Sequence, residues 1–201
     1  MPIRKAQMSK RSKGRAIVAL ALITAAAMSA SRPSTKASVY AAVFSGDHWN
    51  LDPLSKLVVK GTAIRMPSLA GSSANWLMQW DEIPQALRRV AEQPQPTSDV
   101  SLSPSLFPAG TRLVADRAVE AVFRPREGAP EANWALFRRQ FAAAGRVAFS
   151  DIVFTADETD ALVYYEGRCG SLYGIGAYVW LHRNGVGSAW VIRKRIVSWV
   201  S

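Results

Sequence analysis

Apolar and polar positions follow two rhythms along this chain, helical before Gly145 and alternating from Phe149 onward. Val39, Tyr40, Val43 and Phe44 share one helical face and predict a short first helix. Lys56–Ile64 (KLVVKGTAI) reads as a strand in which Gly61 marks a bulge. A helix is predicted over Glu82–Glu92, capped by Asp81, with Pro84 tolerated in its first turn. Its Ile83, Ala86, Leu87 and Val90 form one apolar stripe, while Arg88 and Arg89 face outward. Gln93–Gly110, rich in proline, serine and threonine, reads as a loop. Leu113–Ala115 is a short strand, and Asp116 caps a helix ending near Phe123. After a second loop at Pro125–Pro130, Glu131–Ala144 is an amphipathic helix with Trp134, Phe137 and Phe141 on one face, terminated by Gly145.

The later segments Asp151–Thr155, Ala161–Gly167, Ala177–Arg183 and Ala189–Trp199 are rich in valine, isoleucine, tyrosine and tryptophan. Turn chemistry separates them: Ala156–Asp160, then a glycine loop, then Asn184-Gly185-Val186-Gly187. Connections this short cannot hold the crossover of about a dozen residues that a parallel pair requires. The expectation is therefore an α+β domain, with helices packed on a C-terminal antiparallel four-strand meander. The Glu131–Ala144 helix is expected to cover that meander, with Trp134, Phe137, Phe141, Phe154, Leu162 and Trp190 in the core. Its curvature is expected to resemble a cystatin-like or nuclear-transport-factor-like roll.

Charge changes the picture at the N-terminus. The formal net charge is +10, but residues 1–37 hold eight cations and no acid. Removing eight of the 25 lysines and arginines leaves 17 against 15 acids, a net of +2, so the folded part is not strongly basic. A nucleic-acid-binding domain would keep a basic face, so no nucleic-acid partner is expected. Arg193, Lys194 and Arg195 form a cluster that strand alternation divides between two faces. The cationic Met1–Arg15, the apolar Ala16–Ala30 and the small, polar Ser31–Ala37 follow the order of a secretory signal peptide, with cleavage after Ala27, Ser29 or Ala37. Its fifteen apolar-block residues fall short of the roughly 20 needed to span a bilayer, which makes an N-terminal membrane anchor the alternative. The expected location is periplasmic or secreted. Residues 38–201 then form one domain, with no stable transmembrane segment after processing.

The pattern Trp134-x2-Phe137, Gly145, Ser150-Asp-Ile-Val-Phe154, Asp160-Ala-Leu-Val-Tyr164, Cys169-Gly-Ser-Leu-Tyr-Gly-Ile-Gly176, Leu181, Asn184-Gly185, Trp190-Val191 and Trp199 resembles a group of small exported bacterial proteins of uncharacterised function. The likeness is one of strands and glycines, and it implies export and a meander. It brings no catalytic residues. Where such a loop carries a second cysteine it could close a disulfide; Tyr173 stands at the neighbouring position here.

Candidate chemistry is sparse. Gly170–Gly176 invites a phosphate-cradle reading, but a strand follows it where a helix N-terminus is needed, so it reads as a hairpin connection requiring positive φ. Asp47, His48 and Asp52 match no recognised metal spacing, and neither a metal nor a cofactor is expected. Asp157, Glu158 and Asp160 read as turn formers. Cys169 is the single thiol and His182 the nearest histidine; together they define the alternative reading, a small hydrolase with a cysteine nucleophile. The favoured reading is a non-enzymatic module that binds an envelope protein or a small ligand. Tyr178, Trp180 and His182 share one strand face with Val179 and Leu181 on the other, so that face is either a second buried layer or an aromatic binding platform. In the platform reading, Tyr165, Arg168 and His182 edge the pocket.

Overall fold

The alternating segments pair in chain order because tight turns leave them no other partner. The computed structural model describes residues 35–45, 57–67, 80–92, 100–124 and 130–201, all within the unit Ser34–Ser201. Its helices are α1 (Thr35–Ser45), α2 (Gln85–Glu92), α3 (Asp116–Phe123) and α4 (Pro130–Phe141). Its strands are β1 (Leu57–Lys60), β2 (Arg112–Val114), β3 (Gly145–Phe149), β4 (Val153–Phe154), β5 (Asp160–Arg168), β6 (Gly174–His182) and β7 (Val191–Val200). The fold is α+β, with a mixed, mostly antiparallel seven-stranded sheet ordered β2-β1-β3-β5-β6-β7, and β4 attached to β5. β5, β6 and β7 pair antiparallel in sequence order, while β1 runs parallel to both β2 and β3. Gly185 holds φ +98° in the β6–β7 turn, the left-handed conformation that the Asn-Gly pair anticipates.

Ser150 shortens the first expected strand. Its N–H donates to the Tyr164 carbonyl (2.8 Å), its hydroxyl donates to the Asp151 carbonyl (2.7 Å), and that hydroxyl also accepts the Tyr164 N–H (2.9 Å). These bonds bulge the chain between β3 and β4, so only Val153 and Phe154 remain of Asp151–Thr155. β3 instead pairs with the second half of β5. Gly145 begins β3 and does not end the helix; Ala142 takes the left-handed position (φ 45°) after α4. A Cβ at Gly145 would overlap the Arg168 carbonyl, and that crowding explains the glycine. Asp81 is likewise no cap: α2 starts at Gln85, and Asp81 accepts from Arg88 at 2.7 Å. α1 begins at Thr35, upstream of the expected domain boundary, and Lys36 pairs with Asp151 at 2.6 Å.

Both faces of the sheet carry helices. On one face α1 supplies Val39, Tyr40 and Val43, which pack with Phe107, Val147, Phe149, Val163, Tyr165, Val179 and Leu181. Tyr40 donates its hydroxyl to the Ser150 carbonyl at 2.9 Å. The other face is covered in two separate places. Trp80, Ile83 and Leu87, at and before the start of α2, lie over Leu162, Tyr164, Tyr178 and Ile196. Trp134, Phe137 and Phe141 of α4 pack with Val119 and Val122 of α3 over Val58 of β1. The α4 helix therefore covers the β1 end of the sheet and not the β5–β7 strands. Its apolar face was legible, but the strand that receives it is fixed by the parallel β1 pairing. Of the expected core, Trp134, Phe137, Phe141, Leu162 and Trp190 are buried, and Phe154 is half-buried. Among the described residues no helix is long and apolar enough to cross a membrane.

Candidate functional site

Between its two helical covers, the second face leaves a gap. Alternation places Leu162, Tyr164, Glu166 and Arg168 of β5 on that face, and register aligns Arg146 of β3 with Arg168 and Ala148 with Glu166. Val58 of β1 lies beside Arg146, so Lys60, two residues on, shares the face. Lys60, Ile64, Arg146, Ala148, Glu166 and Arg168 line a small open cleft of ≈ 70 Å³. Its floor is open because Ala148 is the smallest side chain among these strand residues.

Each of the two guanidiniums lies over an aromatic ring. Arg146 stacks on Phe123 of α3 and Arg168 on Trp199 of β7, each 4.8 Å from the ring centre. Directly opposed like charges on neighbouring strands destabilise a sheet. Burial, and then the charge on Arg168, push the Arg146 guanidinium below its ordinary range. Among the described residues neither guanidinium donates a hydrogen bond to a protein acceptor. Lys60 is engaged, pairing with Asp116 at 2.9 Å.

Trp199 closes one side and accounts for the glycine loop. Its indole N–H donates to the Tyr164 hydroxyl at 2.9 Å, and that hydroxyl donates to Glu166 Oε1 at 3.2 Å. Burial pushes the Tyr164 hydroxyl up to about 12. A Cβ at Gly176 would overlap both the indole nitrogen and the Tyr164 hydroxyl, and one at Gly174 would sit 2.7 Å from the ring. Among the described residues the positive-φ glycines are Gly110, Gly185 and Gly187, so Gly174 and Gly176 are required by the indole lying on them and not by turn dihedrals.

The residues singled out from sequence fall in three places. Tyr178 is fully buried beneath Trp80, whose ring centre lies 5.1 Å away edge-on, and its hydroxyl donates to the Pro67 carbonyl. Trp180 donates its indole N–H to Asp160 Oδ1 at 2.7 Å, the same oxygen that lies 3.1 Å from His182 Nδ1. Asn184 Oδ1 stands 3.2 Å from the other ring nitrogen of His182. β7 brings Val191 opposite His182 and, after a bulge, Lys194 opposite Trp180. Tyr165 is buried on the opposite face, against Phe149. Arg168 alone reaches the cleft. Tyr178 thus belongs to a buried layer with Trp180 and His182 half-buried beside it, and Tyr165 lies on the opposite face from Arg168.

Cys169 and His182 are not brought together either. Cys169 sits at the β5–β6 turn and His182 at the far end of β6, opposite Asp160, a separation of about 26 Å along the strand. The hydrolase reading needs a thiol and an imidazole in hydrogen-bond reach, and this hairpin separates them. Asp157 binds Thr159, and Glu158 pairs with Arg183 at 3.1 Å, so these carboxylates organise the turn. Asp47, His48 and Asp52 lie outside the described residues.

Lys60, Arg146, Tyr164 and Trp199 were not named as site residues from sequence. The available signal was a charged residue at an inward position of a strand: Lys60, Arg146 and Glu166 each interrupt an apolar alternation. No protein-family model, curated protein or solved structure matches the chain.

Proposed function

We propose that the chain is an exported, non-enzymatic binding module that takes a small anionic ligand on its sheet, in the cleft of Lys60, Arg146, Glu166 and Arg168. One observation carries this reading. Arg146 and Arg168 are register partners whose guanidiniums are preorganised on two rings, with their donors unused by the described residues. A fold keeps two like charges in register, with Arg146 partly desolvated, at a cost, and an anion shared by the two guanidiniums relieves it. Ligand-observed NMR with acetate tests it. Saturable binding that disappears in Arg168→Gln, an exposed position, supports the cleft. Equal binding by both proteins overturns it.

Export rests on the cationic, apolar and small-polar order of residues 1–37. Cleavage after Ala27 or Ser29 leaves α1 whole, whereas cleavage after Ala37 removes Lys36 and its pairing with Asp151. Intact-mass analysis of protein recovered from expressing cells decides: loss of the first 27 or 29 residues is expected, and retention of Arg4 contradicts export by cleavage.

A further inference from the structure

We infer that the ligand is a hydroxylated monocarboxylate, a hydroxy acid or sugar acid, whose carboxylate sits on Arg146 and Arg168 and whose neighbouring hydroxyl donates to Glu166. The inference rests on the cleft being the binding site and names what fills it. Charge comes first. Asp116 already neutralises Lys60 at 2.9 Å, which leaves two guanidiniums and the Glu166 carboxylate among the lining residues, a net of one positive charge, while Glu120 of α3 acts on Arg146 from outside the lining. A monoanion balances that charge. A phosphate dianion overshoots it and meets Glu166 as a like charge.

Donors and acceptors come second. The guanidiniums offer only donors, in the forked geometry that a carboxylate accepts bidentately. Glu166 offers only acceptors, and Tyr164 fills one oxygen at 3.2 Å while Trp199 fixes Tyr164. Among the described residues Glu166 Oε2 has no donor. A ligand that fits therefore pairs an anion with a hydrogen-bond donor a carbon or two away. A hydroxyl does this and keeps the ligand a monoanion; an ammonium makes it a zwitterion and leaves the site one charge positive. Size comes third. A cleft of ≈ 70 Å³ admits the carboxylate and the adjoining carbinol, so the remainder of the molecule stays in solvent.

The test compares acetate, glycolate, glycine, gluconate and inorganic phosphate on the purified chain and on Glu166→Gln, with dissociation constants read by NMR titration. Glycolate and gluconate are expected to bind about tenfold more tightly than acetate, the worth of one hydrogen bond to a charged acceptor. In Glu166→Gln that advantage is expected to shrink to about twofold or less, with acetate binding no more weakly than before because the cleft has lost its negative charge. Arg168→Gln, whose exposed side chain leaves the core intact, is expected to lose all of the carboxylates together. Equal binding of acetate and glycolate, or tighter binding of glycine or phosphate, overturns the hydroxy-acid assignment while leaving an anion cleft in place. Failure of every anion to bind overturns the cleft reading and this inference with it.

Discussion

The two faces of one sheet are finished in different ways. Under α1, aromatic rings close the surface: Tyr40, Phe44, Phe107, Phe149 and Tyr165 touch in a chain of ring contacts 4.9–6.3 Å apart. On the reverse, two helical covers stop short of each other, and the strands between them turn charged. Adjacent residues of β3 show the contrast, since Phe149 is sealed in the core and Ala148 floors the cleft. A face made to be closed keeps its inward positions apolar, as Val147, Phe149, Ala161, Val163, Ala177 and Val179 do here. A face left open tolerates charges there, because water or a ligand solvates them.

The largest expected effect lies on the closed face. Phe149→Ala removes the ring that meets Tyr40, Phe44, Phe107 and Tyr165, and urea denaturation should show a loss of about 3–5 kcal/mol. A loss below 1 kcal/mol would mean that this face is not a packed core. Next is Gly176→Ala, which forces the Trp199 indole off its seat and off the Tyr164 hydroxyl. It should cost about 1–3 kcal/mol by overpacking, and should weaken anion binding because Arg168 loses the ring beneath it. An unchanged midpoint together with unchanged binding would break the link between the glycines and the cleft.

Alkaline titration sharpens the comparison. Burial raises the hydroxyls of Tyr40 and Tyr165 on the closed face and of Tyr164 and Tyr178 on the other. In the unfolded chain these groups ionise near 10, whereas Tyr164 in the fold holds its proton up to about 12. Across that window the unfolded state releases protons first. Stability present below pH 10 is therefore lost as the pH rises towards 12, by at most about 1.4 kcal/mol per unit for Tyr164. Tyrosinate absorbance appearing near pH 10 for Tyr164, isolated by comparison with Tyr164→Phe, would show that its face is open to water well beyond the cleft.

The smallest effect on stability separates the faces most cleanly. Ala148→Val adds two methyl groups to the cleft floor, where there is space, and should shift stability by less than about 1 kcal/mol. Anion binding should fall by about tenfold or more, since the methyls occupy the ligand's volume. A large destabilisation would show that the floor is packed, not open.

How far this was legible in the sequence depends on the range over which each feature is encoded. The β6–β7 hairpin announces itself locally, through Asn184-Gly185 between apolar runs, and the α4 face through Trp134, Phe137 and Phe141. What α4 packs on was not legible, because an amphipathic stripe states that one face is buried and not by what. Asp81 looked like a cap because the propensity rule sees only the helix start; Arg88, one turn inside α2, claimed its carboxylate. Gly174 and Gly176 read as turn residues, since nothing near them in sequence hints that Trp199 lies across them. The cleft was the least legible feature. Its charges come from β1, β3 and β5, and the parallel β1–β3 register that aligns Val58 with Arg146 is set by packing over a long intervening stretch. Of its residues, only Arg168 was singled out as a binding residue beforehand.

The most direct test reads the guanidiniums themselves. In arginine-edited NMR of the purified chain, titrated with glycolate, the Nε–H signals of Arg146 and Arg168 should move together and saturate with one dissociation constant. The Trp180 indole N–H, held by Asp160 in the covered layer at 2.7 Å, should stay fixed. Movement at Trp180 with Arg146 and Arg168 silent would contradict the cleft and return the binding surface to the face that Tyr178, Trp180 and His182 share.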